Sequence, residues 1–148
     1  MRKYTSKPIF FELLRLNEII TDEMNADERE QAYRDVISGW TNGNTRSLRQ
    51  AMANRPAQYQ AGIDRLYKNL HNRRAYIVST LATAQGWVGK NLQPDYDRIN
   101  GFVAQRCGKA NPGKKPLLKL TYSELGRVAK IVERVYENNL KTHQKHLA

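Results

Sequence analysis

Apolar residues along this chain recur at steps of three and four, and no alternating run argues for a strand. The first such stretch holds Ile9, Phe10, Leu13, Leu14, Leu16 and Ile20, behind a proline, Pro8, that suits the first turn of a helix. Its spacing predicts a helix from about residue 8 to Met24. Asn25-Ala26-Asp27-Glu28 follows as a capping-box candidate, with acids placed well for a helix N-terminus. Behind it Tyr33, Val36, Ile37 and Trp40 lie at i, i+3, i+4 and i+7, and Gly39 with Thr41-Asn42-Gly43-Asn44 is the expected stop. Residues 8–40 therefore read as an N-terminal helical hairpin.

A short helix is expected from Thr45 to Asn54, and Pro56 starts the next. Ile63, Leu66, Leu70, Ile77, Leu81 and Ala84 are heptad-like with one gap. They fit one helix from Pro56 to Gln85 or two with a break near His71-Asn72; a long or kinked connecting helix is the favoured reading. Gly86 ends it and Trp87 reads as a core plug. Gln93-Pro94-Asp95 opens a helix with Tyr96, Ile99, Phe102 and Val103 on its apolar face and Gly108 as its stop. A proline- and glycine-marked basic loop, 109–116, returns through Leu117, Leu118 and Leu120. Thr121-Tyr122-Ser123-Glu124 is a second capping box, and the helix behind it places Leu125, Val128, Val132, Val135 and Tyr136 on one face. Arg127, Lys130, Arg134 and Lys141 fall on the opposite face. Residues 1–7 and 142–148 are expected to fray. The sum is an all-α fold: a helical hairpin, a connecting helix and a C-terminal three-helix unit, divided as an N-terminal region 1–55 and a basic domain 56–148.

Charge changes the picture in one half only. The 148 residues include 25 Lys and Arg against 14 Asp and Glu, a net of +11. Residues 1–60 carry nine basic and eight acidic side chains, whereas residues 61–148 carry 16 and six. Such asymmetry points to a polyanion for the basic half, and nucleic acid is the first candidate because phosphate contacts need Lys and Arg and little else. Three clusters can supply them. One is the loop with Lys109, Lys114, Lys115 and Lys119, whose glycines and prolines are expected to leave backbone donors free. The second is the helix face of Arg127, Lys130 and Arg134, and the third is Arg73 and Arg74 with Arg65 and Lys68. Duplex DNA bound with low sequence specificity is the expected partner. A helix-turn-helix reader is not expected, because the connector between the last two helices far exceeds the three or four residues of that motif's turn.

Catalytic and metal chemistry are thin. Cys107 is the only cysteine, which excludes an internal disulfide and a cysteine-based metal site. It lacks a histidine partner, although Arg106 and Lys109 can lower its pKa; a buried, inert thiol is the expectation. His143 and His146 share a helix face but sit at the terminus, where a solvated tail is the simpler account. Asp95 and Asp97 suit a helix N-terminus. There is no P-loop or dinucleotide glycine pattern. No catalytic residue, metal or cofactor is expected. No secretory signal is apparent and no stretch approaches the ~20 apolar residues of a membrane helix, so a soluble, cytoplasmic protein with no membrane partner is expected. The alternative to DNA binding is a non-catalytic protein–protein interaction module. In that reading Phe10, Phe11, Leu14 and Trp40 of the N-terminal helices form a homodimer or hold a protein partner.

The order of features over residues 73–136 is also familiar. Arg73-Arg74-Ala75-Tyr76-Ile77 opens a helix that closes at Ala84-Gln85-Gly86-Trp87. Asp95-Tyr96-Asp97-Arg98 starts the next, which ends at Arg106-Cys107-Gly108-Lys109, and Leu120-Thr121-Tyr122-Ser123-Glu124-Leu125 begins the last. This resembles the GemA-like regulatory proteins of Mu-like phages and prophages. The resemblance covers less than half of the chain. It implies a phage early protein that modulates host processes, through DNA, and carries no catalytic residues with it.

Overall fold

The computed structural model describes residues 7–147, with side chains from 7 to 142. Residues 1–6, expected to fray, and the side chains of His143 and His146 lie outside the described part. Six α-helices follow one another: α1 (Lys7–Leu16), α2 (Ala26–Trp40), α3 (Leu48–Asn54), α4 (Pro56–Gln85), α5 (Tyr96–Gln105) and α6 (Tyr122–Leu147). Two 3-10 turns, Gly108–Ala110 and Leu117–Lys119, lie between α5 and α6. Among the described residues there is no strand, and one isolated bridge pairs Val88 with Pro94. The fold is all-α, as the periodicity predicts. The 56–85 segment is a single helix of 30 residues. The chain forms two compact units that divide at Leu70 and His71, inside α4, whereas the sequence pointed to 55/56.

In the first unit, α1 stops eight residues before Met24. Glu18 has a φ of 64°, the Glu18 N–H donates to the Arg15 carbonyl (3.0 Å), and the Ile19 N–H to that of Leu14 (2.9 Å). Those two bonds make a Schellman end, which usually takes glycine at the left-handed position. A glutamate there carries no sequence signal, so the apolar spacing ran on through Ile20. Asn17 secures the exit by donating its side-chain amide to the carbonyls of Leu13 (2.8 Å) and Leu66 (3.2 Å). The Asn25–Glu28 capping box forms with both bonds, at 2.8 and 3.0 Å. Gly39 does not stop α2; the helix continues to Trp40 and breaks at Asn42 (φ 54°) and Gly43 (φ 81°). Ser47 caps α3, which starts at Leu48 rather than Thr45.

Phe10, Leu14, Ile37, Tyr59, Ile63 and Leu70 are fully buried in this unit. Phe10 lies 5.7 Å from the Trp40 ring and 5.9 Å from the Tyr59 ring, and Trp40 meets Tyr59 edge-on at 5.9 Å. Burial pushes the Tyr59 phenol up to about 12. The Trp40 indole lies against Gly62 of α4, where a side chain of any size would occupy the ring's own volume.

The second unit packs Ile77 and Leu81 of α4 with Ile99 and Val103 of α5 and Leu120, Leu125, Val128 and Val132 near and on α6. Trp87 meets Phe102 edge-on at 6.0 Å. Arg73 bonds to Tyr122, Tyr76 to Glu133, and Ala84 to Asn139, so this half of α4 and α6 ascend together and run parallel. Parallel helix neighbours need a long crossover, because a short loop can only reverse the chain. Residues 86–121 supply it. α6 does not fray at Thr142; its backbone stays helical to Leu147.

The Gly62 contact yields a paired test. Gly62→Ala should destabilise the protein by about 1–3 kcal/mol, since the added methyl overpacks a core ring. Gly101→Ala on α5, where a Cβ meets nothing within 4 Å, should instead stabilise by about 0.4–1 kcal/mol. Urea unfolding of the two variants reads the difference, and a neutral Gly62→Ala would remove Trp40 from this packing.

Candidate functional site

The second unit assembles its surface from the start of α6 outward. The Glu124 N–H donates to the Thr121 hydroxyl (3.3 Å), and the Thr121 N–H donates to the Glu124 carboxylate (3.0 Å), completing the capping box. The same carboxylate oxygen accepts the Lys115 ammonium at 2.6 Å. Burial alone would push this carboxyl up; the Lys115 bond and the Thr121 N–H outweigh it and hold the group below its usual value.

Lys115 is delivered by a connector that is more ordered than its composition suggests. The buried Asn111 side chain donates to the carbonyls of Val103 (2.9 Å) and Lys115 (2.8 Å) and accepts from the Lys115 N–H (3.0 Å). Asn100 accepts the Leu117 N–H at 2.9 Å. The N–H groups of Ala110, Asn111, Lys114, Lys119 and Leu120 also find backbone carbonyls. The expectation of free backbone donors in this loop is therefore wrong: asparagine side chains and two 3-10 turns consume most of them.

Arg73 and Arg74 hold the fold. Arg73 donates to the Tyr122 carbonyl (2.8 Å) and its guanidinium stacks on the Tyr122 ring, 3.5 Å from the centroid. It lies across Gly126, whose missing side chain leaves the space. Arg74 donates to the Leu118 carbonyl at 3.0 Å and ties the connector to α4.

Beyond Arg73, α4 and α6 enclose an open groove of about 730 Å³. Arg73, Arg127 and Lys130 line it, together with Tyr76 and Glu133. Tyr76 donates its phenol to Glu133 at 2.9 Å, and that bond is the first cause of its raised pKa. Arg127, Lys130 and Arg134 are exposed at i, i+3 and i+7 of one α6 face and make no hydrogen bond or ion pair among the described residues. Lys109 and Lys114 are exposed on the connector, as is Lys119, and do not line the groove; nor does Arg134. Of the eleven basic residues in the three clusters, the structure thus brings Arg73, Arg127 and Lys130 to one groove and spends Arg73, Arg74 and Lys115 on internal partners. Tyr76 and Gly126 were missed because a tyrosine and a glycine at helical spacing look like ordinary helix positions.

Cys107 is buried, and burial pushes its thiol up rather than down, so Arg106 and Lys109 do not activate it. Asp95 caps α5 by accepting the Arg98 N–H at 3.2 Å. Among the described residues no group of three or more His, Cys, Asp or Glu side chains could hold a metal ion, and no helix is long and apolar enough to cross a membrane.

No protein-family model, curated protein or solved structure matches the chain.

The Glu124 cluster sets a pH dependence. A carboxyl held below its unfolded value stabilises the fold fully above the unfolded carboxylate's ordinary 4.5, and the contribution is lost as pH falls through the lower folded value. Glu124→Gln should therefore flatten the acid side of the stability curve, while Thr121→Ala should cost about 0.5–2 kcal/mol at neutral pH. Urea midpoints measured across that acid range check both; an unchanged acid slope in Glu124→Gln would show that other carboxylates set it.

Proposed function

We propose that this chain is a small, non-catalytic accessory protein that binds nucleic acid through the phosphates, with low sequence preference, on the α6 face of its second unit. The observation that carries this reading is the stripe of Arg127, Lys130 and Arg134, exposed and unengaged, two of whose members open onto the α4–α6 groove. Residues 71–148 hold 14 basic side chains and five acidic ones. Two of those acids, Glu124 and Glu133, already have internal partners. Lys115 offsets the charge of Glu124, whereas the Tyr76 phenol leaves Glu133 charged in the groove; the net excess of basic side chains over the unit is what favours capture of a polyanion. A cytoplasmic, DNA-associated regulatory protein of phage or prophage origin, as the GemA-like resemblance implies, fits this surface.

The interaction-module reading loses ground on one point. Phe10 and Leu14, which it needs on the surface, are fully buried in the first unit, and Phe11 is half-buried edge-on to Tyr33 at 5.4 Å.

Binding should weaken linearly in log affinity against log salt, because each phosphate neutralised releases counterions. Replacing Arg127, Lys130 and Arg134 by Ala should make that slope shallower by up to about three units, equally on unrelated sequences. Replacing Lys109 and Lys114 tests the connector in the same assay. Absence of any nucleic-acid binding at ~50 mM salt would end this reading, since electrostatic affinity is strongest there.

A further inference from the structure

The groove between α4 and α6 changes character along its length. Its first part carries Arg127 and Lys130; past Glu133 it meets a second concavity of about 280 Å³ lined by Tyr76, Thr80, Thr83 and Tyr136. Tyr76 lines both parts. Tyr76 is 41% exposed and Tyr136 is 37% exposed, high values for aromatic residues between two packed helices. The Tyr76 ring is also held in place, because Glu133 pins its hydroxyl at 2.9 Å. Cations therefore stand on one side of an exposed tyrosine anchored by Glu133, with hydroxyl-bearing side chains on the other.

That sequence of groups matches the parts of a nucleotide strand. Phosphates go to the guanidinium and ammonium groups, and a base lies flat on the phenol ring. Stacking of this kind is available only to bases that are not already paired and stacked within a double helix. Packed helices stand about 8–10 Å apart, which leaves a groove too narrow to admit a duplex. Charge by itself pointed to duplex DNA; the aromatic face adds what charge could not specify. We propose that the α4–α6 groove is a binding track for single-stranded nucleic acid, with phosphates on Arg127 and Lys130 and a base stacked on Tyr76. This inference rests on the phosphate-binding reading of the same face and names its substrate class.

The test is fluorescence anisotropy of the full chain with three labelled probes of equal length: oligodeoxythymidine, a duplex, and an abasic strand that keeps the phosphates but lacks bases. The oligodeoxythymidine should bind more tightly than either of the others at the same salt. Tyr76→Ala should weaken its binding roughly 5- to 150-fold while leaving the abasic strand unchanged, and Tyr76→Phe should retain binding because the ring remains. The comparison of oligodeoxythymidine with the abasic strand uses the unaltered protein and does not depend on how the variants fold. Equal affinity for those two probes, or tighter binding of the duplex, would overturn the single-strand track while leaving phosphate binding in place. Failure of all three probes to bind would overturn both.

Discussion

The structure depends on covering one helix along its whole length. α4 is 30 residues long, and its apolar positions at Tyr59, Ile63, Leu66, Leu70, Ile77 and Leu81 are all buried. No isolated helix keeps such a stripe in water, since most helical stability in proteins comes from packing an apolar face. The chain answers with two separate cores. Residues up to Leu70 cover the first part of α4 with a core that includes Phe10 and Trp40, and residues from His71 onward cover the second part with a mostly aliphatic core that also holds Phe102. Gly62 and Gly126 mark where each core needs close approach: one admits the Trp40 indole, the other the Arg73 guanidinium.

In the second unit the parallel course of α4 and α6 is what creates the groove between them. It forces a long crossover, and a long crossover must satisfy its own backbone. Asn111, Asn100 and the two 3-10 turns do so, and Lys115 then reaches the buried Glu124 that caps α6. One carboxylate thus joins the start of α6 to the connector. Arg73 and Arg74 complete the junction from α4. With these charges consumed inside, Arg127, Lys130 and Arg134 on the outer face of α6 and Lys109 and Lys114 on the connector are among the described cations that stay exposed and unengaged. A charge count alone treats all of them as equivalent; hydrogen bonding separates structural cations from available ones.

The functional reading follows from that separation. The proposed polyanion partner rests on the unengaged α6 stripe, while Cys107 is buried with its pKa raised and Asp95 caps α5.

The sequence by itself determined the fold class, both capping boxes, the buried Ile63, Leu66, Leu70, Ile77 and Leu81 of α4, and the buried Leu125, Val128 and Val132 of α6, because each of these is a local pattern with a local cause; Tyr136, which the same spacing puts on the apolar face, is exposed. A helix buries residues three and four apart, and a capping box lies within four residues. Tertiary structure alone decided where α1 stops, since Glu18 adopts a left-handed conformation without the glycine that would announce it. It alone placed the division of the units inside a continuous helix, chose which cations are spent on carbonyls and on Glu124, and set Tyr76 beside Arg127 and Lys130. Those outcomes depend on contacts between residues about fifty positions apart, such as Arg73 with Tyr122 and Tyr76 with Glu133. Periodicity places a residue on the face of its own helix, but which other helix that face meets, and in which direction that helix runs, is settled only when the cores pack.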